Sequence, residues 1–87
     1  MKKKALITGI MGQDGAYLAK FLLKKNYDVY GAYRRNSNLD NNRLKKLNIY
    51  NKVKLIDLEI TEFSSVYYTI KKVLPDEIYN LAAMSFV

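Results

Sequence analysis

The segment over residues 4–15, Lys-Ala-Leu-Ile-Thr-Gly-Ile-Met-Gly-Gln-Asp-Gly, restricts the fold of this chain more than any other. A short apolar run is followed by three glycines, which predicts a buried strand, a sharp turn and the start of a helix. Gly9 permits the turn, Gly12 leaves room for a diphosphate to approach the backbone, and Gly15 permits close packing of the helix on the strand. The helix N–H groups and the positive end of its dipole would then face that diphosphate.

A turn that merely requires small residues is the alternative interpretation of these glycines. Short motifs of this kind also arise by chance, so the surrounding pattern has to decide between the two. An apolar strand precedes the glycines and an amphipathic helix follows them, which is the context that a dinucleotide-binding turn requires. The context favours the nucleotide-binding interpretation.

Length and composition exclude several kinds of site. With 87 residues the chain forms at most one domain, over residues 1–87. It contains no cysteine and no histidine. Disulfides, cysteine metal sites and a histidine general base are therefore excluded, and a zinc site is strongly disfavoured. We expect no bound metal.

The charge of the chain bears on its partners and its location. A formal net charge of +7 favours anionic partners such as nucleotides. The lysines occur in scattered pairs at 24–25, 45–46 and 71–72, which is typical of solvated helix faces rather than of a nucleic-acid surface.

The basic start resembles that of a signal peptide, but the apolar stretch behind it is short and interrupted by Gly9, Gly12 and Asp14. No run reaches the ~20 apolar residues of a membrane span. We therefore expect a cytoplasmic protein with no nucleic-acid and no membrane partner.

Strand and helix patterns alternate along the whole chain and predict an α/β fold. Strands are expected over about 4–8, 28–33, 52–57 and 77–81. Helices are expected over about 13–25 and 42–47, and a third helix from an N-cap at Thr61 to a stop at Pro75. Because parallel crossovers are right-handed and the glycine turn marks a central strand, we expect a parallel sheet in the order 3-2-1-4.

The helices should pack on this sheet through apolar stripes. Helical spacing assigns the stripe of the first helix to Tyr17, Leu18, Phe21 and Leu22. The third helix has its apolar residues at Phe63, Val66, Ile70, Val73 and Leu74. The short second helix is expected to pack through Leu39, Leu44 and Leu47. Asn26 is predicted to end the first helix in a left-handed conformation.

The residues at the carboxyl ends of the strands form the predicted ligand site, because ligands of doubly wound sheets bind there. Two arginines, Arg34 and Arg35, follow the second strand, where NAD-binding folds place an acid for the ribose 2′-hydroxyl. The guanidinium fork matches phosphate oxygens, so the pair predicts NADP as the cofactor. A solvated arginine pair at the start of the polar loop over 36–42 is the alternative.

The other strand ends supply further candidates. Asp57 and Leu58 follow the third strand, and Asp57 either accepts from the adenine amino group or caps a turn. The fourth strand is followed by Leu81, Ala82 and Ala83. The complete set of predicted cofactor-binding residues is Gly9, Met11, Gly12, Gln13, Asp14, Gly15, Arg34, Arg35, Asp57, Leu58, Leu81, Ala82 and Ala83.

Three Tyr-x-x-x-Lys spacings match the acid–base pair of short-chain dehydrogenases. They are Tyr50…Lys54, Tyr67…Lys71 and Tyr68…Lys72. In a chain with eight tyrosines and many lysines such matches arise by chance, and two of them lie on a crossover helix. We predict no catalytic residue in this chain.

The segment Gly12-Gln13-Asp14-Gly15, with Tyr17-Leu18 after it, resembles the opening of the GDP-mannose 4,6-dehydratases of the extended short-chain dehydrogenase/reductase superfamily. The match extends to the arginine pair, to Asp57-Leu58 and to residues 78–83 with Ser85, and so covers essentially the whole chain. Met11, Met84 and Phe86 depart from the family, which usually has threonine, glutamine and histidine there. The resemblance implies a partial Rossmann fold.

The resemblance also implies an activity for the intact enzyme. NADP takes a hydride from C4 of the mannose unit of GDP-mannose, water is eliminated across C5 and C6, and the hydride returns to C6. The family's catalytic residues and most sugar-nucleotide contacts come after residue 87. This chain would thus be an N-terminal segment that binds the cofactor and is inactive without the rest of the enzyme.

Two other functions stay open at this point. The chain could belong to another extended short-chain dehydratase, reductase or epimerase, or act as a stand-alone nucleotide-binding module. In the family a further strand from the rest of the enzyme would cover the fourth strand, so in this chain we expect the fourth strand to be an exposed sheet edge. We expect self-association through that edge, or disorder from about Met84.

Overall fold

The computed structural model describes residues 2–34 and 42–82. The elements in chain order are β1 Lys4–Thr8, α1 Gln13–Lys24, β2 Asp28–Tyr33, α2 Asn42–Lys46, β3 Lys54–Asp57, α3 Phe63–Val73 and β4 Glu77–Asn80. Each of the first three strands is followed by a segment that returns the chain to the amino end of the next strand. The predicted alternation is confirmed, and the element boundaries differ from the expected ones by two residues at most.

The four strands form one parallel sheet in the order β3-β2-β1-β4. This is the order expected from the position of the glycine turn and from right-handed crossovers. All four carboxyl ends therefore lie at the same edge of the sheet. The predicted α/β fold with a 3-2-1-4 sheet is confirmed.

The sheet is covered on both faces, and the strand residues alternate between the two covers. Ala5 and Ile7 of β1 pack with α1 and α2 on one face. Leu6 faces the other way and packs with Leu58 and the half-buried Val66 of α3. Leu44 of α2 is fully buried, as predicted, and Leu47 is half-buried beside it, whereas Leu39 lies outside the described residues.

The buried face of α1 differs from the predicted stripe. Its buried residues are Gly15, Ala16, Ala19 and Leu22. The two aromatic residues of the predicted stripe, Tyr17 and Phe21, are 56% and 55% exposed, so the assignment was wrong for them. The physical reason is that Gly15 brings the start of the helix against the backbone of Gly9, so that small residues form most of the buried contact.

The same correction applies to α3. It buries Thr69 and Val73 and half-buries Val66, whereas Phe63 is 82% exposed and Leu74 is also exposed. Phe63 stacks instead on Tyr67 along the helix surface, with 6.0 Å between ring centroids. Fewer residues of α3 are therefore buried against the sheet than the apolar pattern of the sequence predicted.

The helix ends agree with local sequence rules at Asn26 and Pro75 but not at Thr61. Asn26 adopts the predicted left-handed conformation with φ 66°, and the N–H of Tyr27 donates to Leu22 O at 3.1 Å, as in a Schellman motif. Leu74 ends α3 with φ 53°, directly before Pro75. The predicted cap at Thr61 was wrong: Glu62 is the N-cap, because the Thr61 hydroxyl donates to Glu59 Oε1 at 2.9 Å instead.

Candidate functional site at the carboxyl edge of the sheet

The glycine turn connects β1 to α1 at the carboxyl edge. Gly9 has φ +70°, in the left-handed region that glycine adopts without strain, and the N–H of Gly12 donates to Gly9 O at 3.0 Å. A Cβ at Gly9 would lie 2.8 Å from Leu81 O and 2.9 Å from Ala82 N. The turn is therefore packed directly against the segment that follows β4.

The two other glycines differ in what surrounds them. Gly15 is buried, and a Cβ there would collide with the carbonyl oxygen of Gly9, which explains the close approach of α1 to the strand. A Cβ at Gly12 would meet only Gly9 O, at 3.4 Å. The outer side of the turn is thus open at Gly12.

The N-terminus of α1 is suited to an anion. Gly12 is its N-cap and has no side chain to satisfy the first N–H groups of the helix. These donors and the helix dipole attract negative charge. Of the predicted residues in this turn, Gln13 and Asp14 are exposed and Met11 is half-buried against the core.

Arg34 lies at the carboxyl end of β2, as predicted, and carries an ion pair that the sequence did not predict. Its Nε lies 3.1 Å from Glu59 Oε2, on the segment after β3. Hydrogen bonds from Thr61, together with the charge of Arg34, hold the pKa of the Glu59 carboxyl below its usual range. The guanidinium is thus oriented by a carboxylate that stays ionised. Arg35 lies outside the described residues.

The end of β3 brings Asp57 and Leu58 to the same edge. Asp57 is half-buried. The N–H of Leu58 donates to Tyr33 O at 2.9 Å, and its side chain is buried against Leu6 and Ala32. A ligand contact at Leu58 would therefore come from its backbone.

The end of β4 is tied to the end of β1 by side-chain hydrogen bonds. Thr8 Oγ1 donates to Asn80 Oδ1 at 2.6 Å and accepts from the N–H of Ala82 at 3.1 Å. Leu81 is exposed and Ala82 is half-buried. Ala83 lies outside the described residues.

Arg43 is a residue at this edge that sequence reasoning missed. It belongs to α2, and its Nη1 donates to the carbonyl oxygen of Met11 in the glycine turn at 3.1 Å. Thr8, Glu59 and Asn80 were also missed as site residues. No local pattern could have found Arg43, because 32 residues separate it from Met11.

The Tyr-x-x-x-Lys pairs lie away from the carboxyl edge. Tyr67 and Tyr68 are exposed on α3, and Lys71 and Lys72 stand in its last turn, at the opposite end of the sheet. Among residues 2–34 and 42–82, no group of three or more Asp, Glu, His or Cys is placed to hold a metal ion. Within the same ranges, every helix is too short or too polar to cross a membrane.

Comparison with known proteins assigns the family. The family model described as GDP-mannose 4,6 dehydratase matches residues 6–87. The chain belongs to the GDP-mannose 4,6-dehydratase family. It is 48% identical to GDP-mannose 4,6 dehydratase 2 of Arabidopsis thaliana over 99% of its length, and 44% identical to GDP-mannose 4,6-dehydratase of Vibrio cholerae over 100%. The chain spans about a quarter of each of these dehydratases, 25% in both cases.

Solved structures support the fold of this dehydratase-family chain. The Bordetella bronchiseptica enzyme WbmH in complex with NAD+ matches with a TM-score of 0.77 and 26% identity, over 100% of this chain and 28% of that one. The dTDP-glucose 4,6-dehydratase of Bacillus anthracis, in complex with NAD, matches with a TM-score of 0.76 and 20% identity, over 94% of this chain and 27% of that one. At 20% identity the second match bears on the fold alone.

Proposed function

We propose that this chain is the NADP-binding segment of a GDP-mannose 4,6-dehydratase and forms the first part of its Rossmann domain. The observation that carries the proposal is the open glycine turn at the uncapped N-terminus of α1, with Arg34 at the end of the neighbouring strand. Backbone donors and a guanidinium fit the phosphates of a dinucleotide, because they offer N–H groups and positive charge where phosphates need them.

The residues that would hold the cofactor fall into three groups, according to the part of the cofactor that they would contact. The backbone of the turn, with Gly9, Gly12 and Gly15, would bind the diphosphate together with the neighbouring Met11, Gln13 and Asp14. Arg34 and Arg35 would bind the 2′-phosphate. The adenosine would lie against the remaining members of the predicted set, which are Asp57, Leu58, Leu81, Ala82 and Ala83.

The resemblance to the family supplies the activity of the intact enzyme, a lyase that converts GDP-mannose to GDP-4-keto-6-deoxymannose and water. A bound nicotinamide would supply reversible hydride acceptance, so the reaction would involve no net oxidation. The residues of this chain bind and orient the cofactor. We expect them to provide no acid–base group, and we expect the chain to be inactive without the rest of the enzyme.

The choice of NADP over NAD rests on the arginine pair. The WbmH and dTDP-glucose dehydratase structures both contain NAD, so the fold alone does not select NADP. Each charge-assisted hydrogen bond to a phosphate contributes about 1.5–3 kcal/mol, which corresponds to roughly tenfold or more in affinity. The preference should therefore be measurable in this chain.

The first prediction tests this preference by removing the pair. Arg34→Ala with Arg35→Ala is expected to weaken NADP binding by about tenfold or more, with little effect on NAD, because only NADP carries the 2′-phosphate. Calorimetric titration of the chain with each dinucleotide measures both affinities.

Lys2→Ala with Lys52→Ala is the matched control for charge. It also removes two positive charges, but at the opposite edge of the sheet, beside the start of β2. It should leave the ratio of the NADP and NAD affinities unchanged. Equal losses for NADP and NAD in the arginine variant would contradict the assignment of NADP. Binding of neither dinucleotide by the folded wild-type chain would contradict the proposed function.

A further inference from the structure

Glu59 is an acid in direct contact with an arginine of the predicted 2′-phosphate site. It follows Leu58 on the segment after β3, and its Oε2 accepts a hydrogen bond from Nε of Arg34 at 3.1 Å. Its other carboxylate oxygen, Oε1, accepts from the hydroxyl of Thr61 at 2.9 Å and from the N–H of Thr61 at 3.4 Å. One carboxylate oxygen is thus held by the acid's own segment while the other binds the guanidinium.

The backbone and the charge of Glu59 are also fixed by their surroundings. Its N–H donates to Ser65 Oγ of α3 at 3.2 Å, which holds the residue against the first part of that helix. The hydrogen bonds from Thr61, with the charge of Arg34, lower the pKa of the Glu59 carboxyl. A carboxyl group with a lowered pKa is ionised at neutral pH. A fixed negative charge therefore lies beside the guanidinium.

This charge bears on the kind of dinucleotide that the edge prefers. A phosphate monoester carries about −1.5 to −2 charges at pH 7. An anion that hydrogen-bonds to the guanidinium of Arg34 would lie within about 8 Å of the Glu59 carboxylate, where charges still repel at physiological salt. The carboxylate also occupies Nε, one of the donors of the guanidinium. A 2′-phosphate would meet competition that a ribose 2′-hydroxyl would not.

We propose that Glu59 is a specificity-determining residue, which competes with the 2′-phosphate for Arg34 and thereby reduces the preference for NADP over NAD. This inference rests on the proposed function, because it assigns the 2′-phosphate to Arg34. The preference is reduced but not abolished, since the Arg34 side chain is 65% exposed and exposed ion pairs are weak. Glu59 acts through the arginine and needs no contact with the cofactor.

The first test neutralises the acid without changing its shape. Glu59→Gln is expected to bind NADP about three- to tenfold more tightly, with little change for NAD, because only NADP has a phosphate that competes for Arg34. Calorimetric titration of the chain with each dinucleotide measures both affinities. Unchanged or weaker NADP binding by Glu59→Gln would overturn the inference, and weaker binding would mean that the carboxylate helps Arg34 to hold the phosphate.

Glu62→Gln is the matched control for charge. Glu62 lies three residues further along the same segment, is exposed, and makes no side-chain hydrogen bond to the start of α3. Its replacement removes the same negative charge and should leave the ratio of the NADP and NAD affinities close to that of wild type. An equal gain in both glutamine variants would mean that general charge, rather than the contact with Arg34, sets the preference.

The double variant Arg34→Ala with Glu59→Gln separates competition from simple repulsion. Competition requires the arginine, so Glu59→Gln should change NADP affinity by less than about twofold when Arg34 is already absent. The same gain with and without Arg34 would show that the carboxylate merely repels the phosphate, which would overturn the proposed competition.

Inorganic phosphate provides a measurement that needs no dinucleotide. Phosphate is titrated into the wild-type chain and into Glu59→Gln, and the nuclear magnetic resonance signal of the Arg34 Nε–H is followed. We expect the signal of Glu59→Gln to respond at a lower phosphate concentration, and an equal or higher concentration would overturn the inference. Failure of the proposed function is seen separately, as a folded wild-type chain that binds neither NADP nor NAD.

Discussion

Gly9 and Gly12 stand three residues apart in the same turn, and their surroundings predict opposite consequences for the same substitution. Gly9 has a positive φ and touches the backbone after β4, whereas Gly12 has φ −79° and an open outer side. Alanine at Gly9 would be strained by its conformation and would also collide with the backbone of Leu81. At Gly12 an alanine meets neither problem.

We expect Gly9→Ala to lower the free energy of unfolding by about 2–5 kcal/mol. Gly12→Ala should stay within about 1 kcal/mol of wild type, because a poorer N-cap and a less flexible unfolded chain act in opposite directions. It should still weaken dinucleotide binding, since its methyl group would occupy the space in which a diphosphate approaches. Urea denaturation and calorimetric titration of both variants measure the two effects. A stable Gly9→Ala protein, or normal NADP affinity in Gly12→Ala, would contradict this account of the turn.

At the scale of the elements, α1 shows why apolar periodicity misidentified its buried face. The pattern of large apolar residues includes Phe21 and Leu22, yet Phe21 is 55% exposed and Leu22 is 3% exposed. Gly15 brings the start of the helix against the turn, so small residues fill most of the contact with the sheet. Lys25 lies over the ring of Phe21, 5.3 Å from its centroid, on the outer surface.

This arrangement predicts very different costs for two neighbouring truncations. Leu22→Ala should lower the free energy of unfolding by about 2–5 kcal/mol, because it leaves a cavity in the core. Phe21→Ala should change it by about 1 kcal/mol or less, since little of the ring is buried. Equilibrium urea denaturation of the two variants gives the comparison. A larger loss for Phe21→Ala than for Leu22→Ala would mean that α1 presents a different face to the sheet.

On the scale of the whole molecule, β4 stands at one edge of the described sheet. Main-chain groups on the outer side of an edge strand can pair with a second copy of the chain. Ile78 on this strand is 50% exposed and Leu81 after it is 40% exposed, so apolar side chains accompany the edge. These features support the predicted self-association, although the net charge of +7 opposes it at low ionic strength.

We expect the weight-average mass of the chain to rise with concentration in sedimentation experiments at about 0.15 M salt, where exposed charges are screened over about 8 Å. Ile78→Lys should reduce this association, because a lysine on an edge strand opposes pairing. Tyr68→Lys adds the same charge on α3, beside the β3 edge, and should leave more association than Ile78→Lys does. A wild-type chain that stays monomeric at high concentration would refute self-association through β4.

The local sequence was sufficient for the strand–turn–helix unit and for the strand order. Gly9, Gly12 and Gly15 occur within seven residues, and their conformational demands hardly depend on the rest of the chain. Right-handed crossovers together with the dinucleotide-binding glycine spacing then favour the order 3-2-1-4. Arg34 and Asp57 reached the carboxyl edge as predicted, because the strand boundaries were close to correct.

The contacts between distant segments could be found only in the folded molecule. The pairs Arg43–Met11, Arg34–Glu59 and Thr8–Asn80 are separated by 32, 25 and 72 residues. Periodicity shows which residues of a helix are apolar, but the distance between helix and sheet decides which of them are buried. Hydrogen bonds between strand ends depend on register and side-chain direction, which no short stretch of sequence specifies. The contacts that surround the candidate site were therefore found only in the tertiary structure, whereas the glycine turn at its centre could be predicted from the sequence.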